Sequence, residues 1–310
     1  DEALNQEQSD EMVWDTSAGE EWGEGETDGL RTYQCQSCGG EIVADENMAA
    51  SACPYCGNPI VVTGQFSGAL KPDYVIPFKV SKKEAIEKLK MHYKGRPYLP
   101  KSFKDDNHIE EIQGVYVPFW MFDGKASGEA SYKATTSKVY EKGDEEITET
   151  RHYEVSRAGS IGFEKIPVDA SSKMPDDHMD SIEPYDYSGL KAFSTAYLPG
   201  FLADKYDVSV KDSQKRADTR CASTLEDALR GTVTGYDSCA LEHKQIDLKR
   251  GKVHYALLPV WMLHTKWNGQ DFLFAMNGQT GKMVGDLPTS KGKFWGLFAA
   301  IAAPMTVVLT

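Results

Sequence analysis

The order of apolar and polar positions along the 310-residue chain predicts a β-rich protein with a few helices. The apolar run Tyr74–Val80 is typical of a strand. Ser81 and Glu84 follow it as a capping box, which predicts a helix over Lys82–Tyr93. A second helix is predicted over residues 209–230. Strands with one wet face, as in antiparallel sheets, are predicted over residues 126–140, 146–163 and 239–286.

Two apolar strands share a similar sequence, which suggests two related β-units in one domain. Val117–Phe122 reads Val-Pro-Phe-Trp-Met-Phe, and Leu258–Leu263 reads Leu-Pro-Val-Trp-Met-Leu. Chance similarity between two buried strands explains the likeness equally well, so both interpretations stay open. Proline lacks the N–H group that a central strand needs, so Pro118 and Pro259 are predicted to mark strand edges or bulges.

Charge is distributed unevenly along the chain. The first thirty residues hold eleven of the 47 Asp and Glu residues and no Lys or Arg, whereas the rest of the chain is nearly neutral. An acidic stretch of this kind buries too little apolar surface to offset its chain entropy. Residues 1–30 are therefore predicted to form an acidic flexible arm.

The C-terminal residues differ in character from the rest. Lys291 and Lys293 precede Phe294–Thr310, a stretch without charge that approaches the roughly 17 to 20 apolar residues needed to span a membrane. Residues 291–310 are therefore predicted to start a transmembrane helix, with Trp295 as interfacial anchor; a buried core helix is the alternative. The positive-inside rule then places the bulk of the chain in the cytoplasm, on a single-pass protein of the cell membrane.

Four of the six cysteines stand in two C-x-x-C pairs, Cys35 with Cys38 and Cys53 with Cys56. Each pair makes a tight turn that directs two sulfurs at one metal ion, and four thiolates close a tetrahedral shell. The pattern predicts one structural Zn²⁺ in a zinc ribbon over residues 31–64; iron with the same ligands and a redox pair are the alternatives. A module this small has almost no core, so the metal is expected to supply most of its folding free energy.

The charge of this ribbon argues against nucleic acid as a partner. No Lys or Arg lies between Arg31 and Lys71, and the affinity of proteins for phosphate backbones depends on such cations. A protein partner is the expectation.

No catalytic motif stands out, and the chain is predicted not to be an enzyme. Gly278–Lys282 resembles a P-loop only superficially, and it is predicted to be a β-turn. Cys221, Cys239 and His243 are considered as part of a second metal site, but isolated cysteines are more often buried hydrophobic residues.

Several segments resemble the bacterial TFIIB-type zinc-ribbon membrane proteins, which are often labelled primosomal-helicase-like by similarity. The likeness rests on Tyr33–Gly40, Cys53–Pro59, Pro72–Lys79 and Tyr116–Phe122, and it extends over most of residues 33–310. Members of that family typically have a C-terminal membrane helix and are associated with SPFH-type membrane scaffolds or phage-shock-like membrane-stress proteins. The resemblance therefore implies a membrane-linked adaptor. It gives no support for helicase activity, because nucleotide-binding motifs are missing.

These observations together predict an α+β chain in which a small β zinc ribbon precedes a mainly antiparallel β-rich domain with a few helices and a C-terminal transmembrane helix. The predicted domains are the arm (1–30), the ribbon (31–64), a β-rich domain that includes any internal duplication (65–290) and the start of the membrane helix (291–310). The predicted function is that of a membrane-anchored, cytoplasm-facing adaptor in a membrane-stress or membrane-scaffold complex. A nucleic-acid-binding accessory protein of replication or transcription is the alternative.

Overall fold

The structure, a computed structural model, describes residues 14–15, 17–48, 52–65, 69–101, 103, 109–143 and 145–309. The strands in this part of the chain are β1 (Leu30–Cys35), β2 (Glu41–Asp45), β3 (Ile60–Gln65), β4 (Tyr74–Val75), β5 (Gln113–Lys142), β6 (Glu145–Asp169), β7 (Lys191–Ala192), β8 (Leu202–Asp204), β9 (Ser238–Trp267), β10 (Gln270–Asn277) and β11 (Met283–Gly285). The α-helices are α1 (Lys82–His92), α2 (Asp176–Ile182), α3 (Val210–Gly231) and α4 (Lys291–Leu309).

The chain divides into two compact units. Of the described residues, unit 1 takes those within 14–18, 120–168 and 209–254, and unit 2 those within 19–119, 169–208 and 255–309. The long strands β5, β6 and β9 contribute residues to both units.

Unit 2 is built on a mixed β-sheet. The strand order among the described residues is β11-β10-β9-β5-β8-β2-β1-β3, and β4 pairs with both β7 and β9. One apolar core of unit 2 combines side chains from α1, β9 and β10 with those of the segment between α1 and β5. The fully buried members with large side chains include Leu89, Phe103 and Phe274.

The predicted fold class is wrong in the direction of the strands. β5 runs parallel to β8, with Val115 opposite Leu202, and β4 runs parallel to β9, with Tyr74 opposite Ala256. Hydrophobic alternation fixes which face of a strand is buried, but it does not fix the direction of the neighbouring strand. β8 has only three residues and leaves little pattern in the sequence, whereas β4 takes up only Tyr74–Val75 of the strand predicted over Tyr74–Val80.

The predicted transmembrane helix is also wrong. In the part of the chain that the structure describes, no helix is long and apolar enough to cross a membrane. The residues predicted to start the membrane span form helix α4, Lys291–Leu309. The predictions of a membrane partner and of a single-pass location in the cell membrane depended on this helix and are wrong as well.

Both prolines that were expected at strand edges or bulges lie instead where a central strand changes its neighbour. On β9, pairing with β4 reaches Leu257 and pairing with β10 begins at Val260, so Pro259 falls between the two partners. On β5, Tyr116 pairs with β8, while the carbonyl of Pro118 already accepts a hydrogen bond from the amide of Ala170, next to β6. Each proline therefore lies between the last residue paired with one neighbouring strand and the first residue paired with the next, so its missing N–H group interrupts neither ladder.

Unit 1 contains the other ends of the long strands, covered by helix α3. β5 pairs with both β6 and β9. The buried residues of α3 recur every four positions, which places them on one face of the helix, at Ala217, Cys221, Leu225 and Leu229. Cys221, Leu225 and Leu229 pack with side chains of β5 and β6, which are Ala126, Ala130, Tyr132, Ala134, Val155 and Phe163.

Two tryptophans of the segment predicted to be an acidic arm are packed. In unit 1, the ring of Trp14 contacts Phe122 edge-on at 4.8 Å between centroids, and its Nε1 donates to Asp218 over 3.3 Å. In unit 2, Trp22 contacts Phe193 at 5.8 Å, and its Nε1 donates to the carbonyl of Ala69 over 2.9 Å. Residues 1–13 and Thr16 lie outside the described residues.

The helix starts agree with their sequence signals. Ser81 caps α1, and the carboxylate of Glu84 accepts a hydrogen bond from the Ser81 amide, as a capping box requires. Helix α3 occupies Val210–Gly231, within one residue of the predicted span.

We expect Gly128→Ala to lower the free energy of unfolding by about 1–3 kcal/mol. A Cβ at this position of β5 would lie 2.3 Å from the carbonyl oxygen of Gln245 on β9, and backbone has little freedom to move away. Chemical denaturation of purified chains measures the change.

The matched control is Gly162→Ala on β6, where a Cβ would meet no atom within 4 Å. This variant should keep the wild-type stability or gain slightly. An equal loss in both variants would contradict the steric explanation.

Candidate metal centre

Two backbone turns of the same design hold the four predicted cysteines. In the first turn, the amide of Gly39 donates to the carbonyl of Cys35, and the amide of Cys35 donates to Gly40, both over 2.9 Å. In the second, Gly57 donates to Cys53 over 2.9 Å, and Cys53 donates to Asn58 over 2.8 Å. The C-x-x-C spacing therefore folds into two equivalent knuckles, one after β1 and one before β3.

A glycine closes each knuckle because the chain turns there with a left-handed backbone. Gly39 has φ +71° and Gly57 has φ +69°. An L-residue pays an energetic cost in this region, since its Cβ approaches the neighbouring carbonyl.

The knuckles bring the four sulfurs together. The Sγ atoms of Cys35 and Cys56 lie 3.5 Å apart, those of Cys38 and Cys53 lie 3.7 Å apart, and all four lie within 4.8 Å of one another. These separations are far longer than the roughly 2.05 Å of a disulfide, so all four thiols are free. Four ligands at about 2.3 Å from a tetrahedral zinc ion lie about 3.8 Å apart, so the donor set fits this metal.

The electrostatics of the cluster call for a cation. Burial raises the pKa of the Cys53 thiol. Burial also raises the pKa of the Cys38 thiol, although a hydrogen bond from the backbone amide of Gly40 acts in the opposite direction. Burial acts in the same direction on Cys35, but the amides of Cys38 and Ser37 outweigh it and lower its pKa to about 7. Four thiolates this close repel one another unless a metal ion neutralises them, and a coordinated thiol is deprotonated.

The two knuckles differ in what covers them. A Cβ on Gly57 would lie 2.7 Å from Nδ1 of His264, so this imidazole packs directly on the second knuckle. Nε2 of His264 lies 3.2 Å from a carboxylate oxygen of Asp271, which orients the ring. At Gly39 of the first knuckle, a Cβ would meet no atom within 4 Å.

Strand β2 joins the cysteine ribbon to the main sheet of unit 2. Ile42 pairs with Asp204 and Val43 with Ala203 of β8. An ion pair of 2.8 Å between Glu41 and Lys205 adds to this junction. The ribbon is therefore a continuation of the sheet.

Asp204 is a buried carboxyl group at this junction. Only 3% of the residue is exposed, and burial raises its pKa to about 7, against the lowering effect of the Ser171 and Tyr55 hydroxyls. Tyr55 belongs to the second knuckle, so a titratable group of β8 lies beside the metal-binding turn. Neither Asp204 nor His264 was predicted, because each lies more than 140 residues from Cys56 and no spacing signal links them.

The structure does not bring Cys221, Cys239 and His243 into a second metal site. Within the described residues, the cysteine quartet is the only group of three or more His, Cys, Asp or Glu side chains close enough to hold an ion. Cys221 is part of the apolar core under α3. The P-loop-like segment is a turn, as predicted, in which the side-chain oxygen of Asn277 accepts from the amides of Gln279 and Thr280.

We expect Gly57→Ala to weaken metal retention more than Gly39→Ala. Both changes force an L-residue into a left-handed turn, which costs about 1 kcal/mol, but only Gly57→Ala also displaces the His264 ring. The rate of metal transfer to a coloured chelator measures retention. Equal rates in the two variants would show that the contact with His264 contributes nothing.

The buried Asp204 should make stability fall as pH rises. Its folded pKa of about 7 lies above the ordinary value of 3.8, so the unfolded chain binds fewer protons between these limits. The free energy of unfolding then falls with pH, by at most about 1.4 kcal/mol per unit, until the pH passes about 7. Asp204→Asn should flatten this slope between about pH 5.5 and pH 8 in denaturation of metal-loaded protein. The exposed control Asp286→Asn should keep the slope; a slope unchanged in Asp204→Asn would refute the assignment.

Comparison with known proteins identifies one clear relative. The chain is 40% identical over 242 residues to the "Uncharacterized protein YdjG" of Bacillus subtilis (strain 168), and the match covers 78% of this chain and 71% of the relative. No family model matches the chain, and no solved structure matches it. The chain therefore belongs to the same family as Bacillus subtilis YdjG.

Proposed function

We propose that this chain is a protein-docking adaptor whose docking surface is the edge strand of a zinc-stabilised ribbon. The ribbon is the segment from β1 to β3, with one structural Zn²⁺ on Cys35, Cys38, Cys53 and Cys56. The proposal keeps the likeness to TFIIB-type zinc-ribbon proteins, and it assigns the chain no catalytic role.

The sulfur geometry supports a structural zinc ion. All four ligands are thiols of the chain, so a tetrahedral metal ion has no open position for water or substrate. Cys35 and Cys53 are each only 1% exposed, which keeps solvent away from half of the shell. The metal then holds the two knuckles, and through them the strands that leave each knuckle.

Strand β3 is the observation that carries the docking role. It lies at the end of the sheet order and pairs only with β1 in the described part of the chain. Val61 and Val62, which point to opposite faces, are 48% and 58% exposed. Proteins usually protect such edges with charged residues or with proline inside the strand, and Ile60–Gln65 contains neither. An uncharged, β-branched edge is suited to the addition of a strand from a partner.

Charge indicates the kind of strand that fits. The ribbon over residues 31–64 carries Glu41, Asp45 and Glu46 against the single base Arg31. Arg31 is paired with Glu46 at 3.0 Å and Glu41 with Lys205 at 2.8 Å, which leaves Asp45 as the acidic group of the ribbon outside these two ion pairs. An extended protein segment with Lys or Arg residues complements this surface, whereas nucleic acid requires cations that the ribbon does not offer.

The test is capture of a partner by the full chain with a photo-crosslinking residue in β3, after native mass spectrometry has shown one zinc ion per chain. We expect a defined protein partner that contributes an extended segment, confirmed by reciprocal binding of the purified pair. Val61→Lys with Val62→Lys should reduce this binding at least about tenfold, because lysines protect a strand edge against pairing.

The matched control is Val139→Lys with Tyr140→Lys, which adds the same charge at positions 59% and 47% exposed on β5. This variant should keep the wild-type affinity. An equal loss in both variants would refute docking at β3. Salt-sensitive binding of DNA or RNA by the wild-type chain would instead support the accessory-protein alternative.

A further inference from the structure

We propose that unit 2 contains a binding site for a small aromatic carboxylic acid, in a cavity beside the start of helix α1. This site is separate from the cysteine ribbon and does not depend on the docking role. The cavity has a volume of about 520 Å³. That value lies within the range of about 300–1,000 Å³ that is typical of small-molecule sites.

Three aromatic rings form the apolar wall of the cavity. Phe78 and Phe201 are stacked with their ring centroids 4.1 Å apart and their planes at 2°, and Trp261 meets Phe78 edge-on at 5.1 Å. The Trp261 Nε1 donates to the carbonyl of Val80 over 2.9 Å, so the indole offers the cavity carbon atoms and no hydrogen bond. Both phenylalanines are only half-buried, which leaves ring surface for a further ring to cover.

Glycine makes this wall possible. A Cβ on Gly114 would lie 2.6 Å from the ring of Phe201 and 3.2 Å from that of Phe78. The stack can therefore lie flat against the β5 backbone only because this residue has no side chain.

Lysines give the cavity its charge preference. Lys79 and Lys82 line it, and no Asp or Glu is among its described lining residues. Asp186 lies 3.9 Å from Nζ of Lys79 and offsets part of its charge, and Glu84 accepts hydrogen bonds from Ser81, so the positive charge at the cavity is smaller than two lysines alone would give. An anionic group at the mouth of the cavity is therefore favoured over a cationic one.

A buried acceptor defines the third feature of the ligand. Gln113 lines the cavity, and its Oε1 is closed off from solvent and receives no hydrogen bond from a described residue, while Nε2 donates to the carbonyl of Ala52 over 3.4 Å. A buried acceptor without a donor is costly. A rotation of the side-chain amide that turns Oε1 toward the cavity would let a ligand with an N–H or O–H group on its ring remove this cost.

An indole carboxylic acid combines the three features, since it has a planar ring, an N–H group and a carboxylate. Indole-3-acetate is the probe, tested on the full chain by calorimetric titration. A ligand of this size in a fitting site should bind with a Kd of about 1 mM or lower. Chemical shifts of the Met48 methyl group and the Trp261 indole N–H should move together with saturation, because both residues line the cavity.

Matched probes and variants separate the three features. Tryptamine, which replaces the carboxylate with an ammonium group, should bind at least about tenfold more weakly. Lys79→Ala with Lys82→Ala should weaken the binding of indole-3-acetate about tenfold, whereas Lys83→Ala with Lys94→Ala, outside the cavity, should change its affinity less than twofold.

The N–H group is tested with 1-naphthaleneacetate, which lacks it and should bind more weakly to the wild type. Gln113→Leu should abolish this difference between the two acids.

The proposal is overturned by three results. The first is the absence of heat and of shifts at Met48 and Trp261 with millimolar indole-3-acetate. The second is equal affinity for tryptamine. The third is an equal loss of affinity in the two double-lysine variants, which would indicate a general effect of protein charge.

Discussion

The pairing of β2 with β8 is the interaction on which the arrangement around the cysteines depends. It turns a small ribbon into the outer part of a larger sheet, so Ile42, Val43 and Ala44 are buried. Burial of one such Ile or Val side chain contributes roughly 1.5–3 kcal/mol. The expectation that the metal supplies most of the folding free energy of the ribbon therefore needs revision. The four cysteines lie at metal-binding distance in the knuckles, and the sheet supplies the core that the ribbon lacks.

The same junction holds one edge of the ribbon against the main sheet and leaves the opposite edge strand with one neighbour among the described residues. Strand β2 is tied to β8, whereas β3, two strands further out, has no second neighbour in the described part of the chain. Because β3 is already held in an extended conformation, pairing with a partner strand costs less conformational entropy. The aromatic cavity is likewise supported by the sheet, since its stacked rings lie on the backbone of the central strand β5.

Features with local chemical causes could be predicted from the sequence. The cysteine quartet could be recognised because two C-x-x-C turns supply the four ligands that a metal ion requires. The start of α1 could be recognised because Ser81 and Glu84 satisfy the first amides of the helix. The turn after Asn277 follows in the same way from a side chain that binds its own backbone. In each case the residues that make the interaction lie within a few positions of one another, apart from the single long spacer between the knuckles.

Features that depend on distant residues could not be predicted. The contact of His264 with Gly57 and the burial of Asp204 beside Tyr55 join parts of the chain that share no pattern. Trp14 sits among acidic residues, yet its ring is buried against Phe122. The apolar C-terminal run resembles a membrane helix by composition, yet no helix among the described residues is long and apolar enough to cross a membrane. Direction within the sheet was missed because the hydrophobic pattern of a strand does not fix the direction of its neighbour, and because β8 is too short to be recognised.

The prolines at the changes of strand partner also bear on how the chain avoids folding errors. In a sheet with several uninterrupted apolar strands, a shift of two residues along a ladder keeps every side chain on its proper face. Such a shift on β5 or β9 would move Pro118 or Pro259 opposite a carbonyl that then receives no hydrogen bond. Each proline thus penalises a slipped alignment that hydrophobicity alone would accept, and it does so in the two longest apolar strands, where slippage would be most damaging.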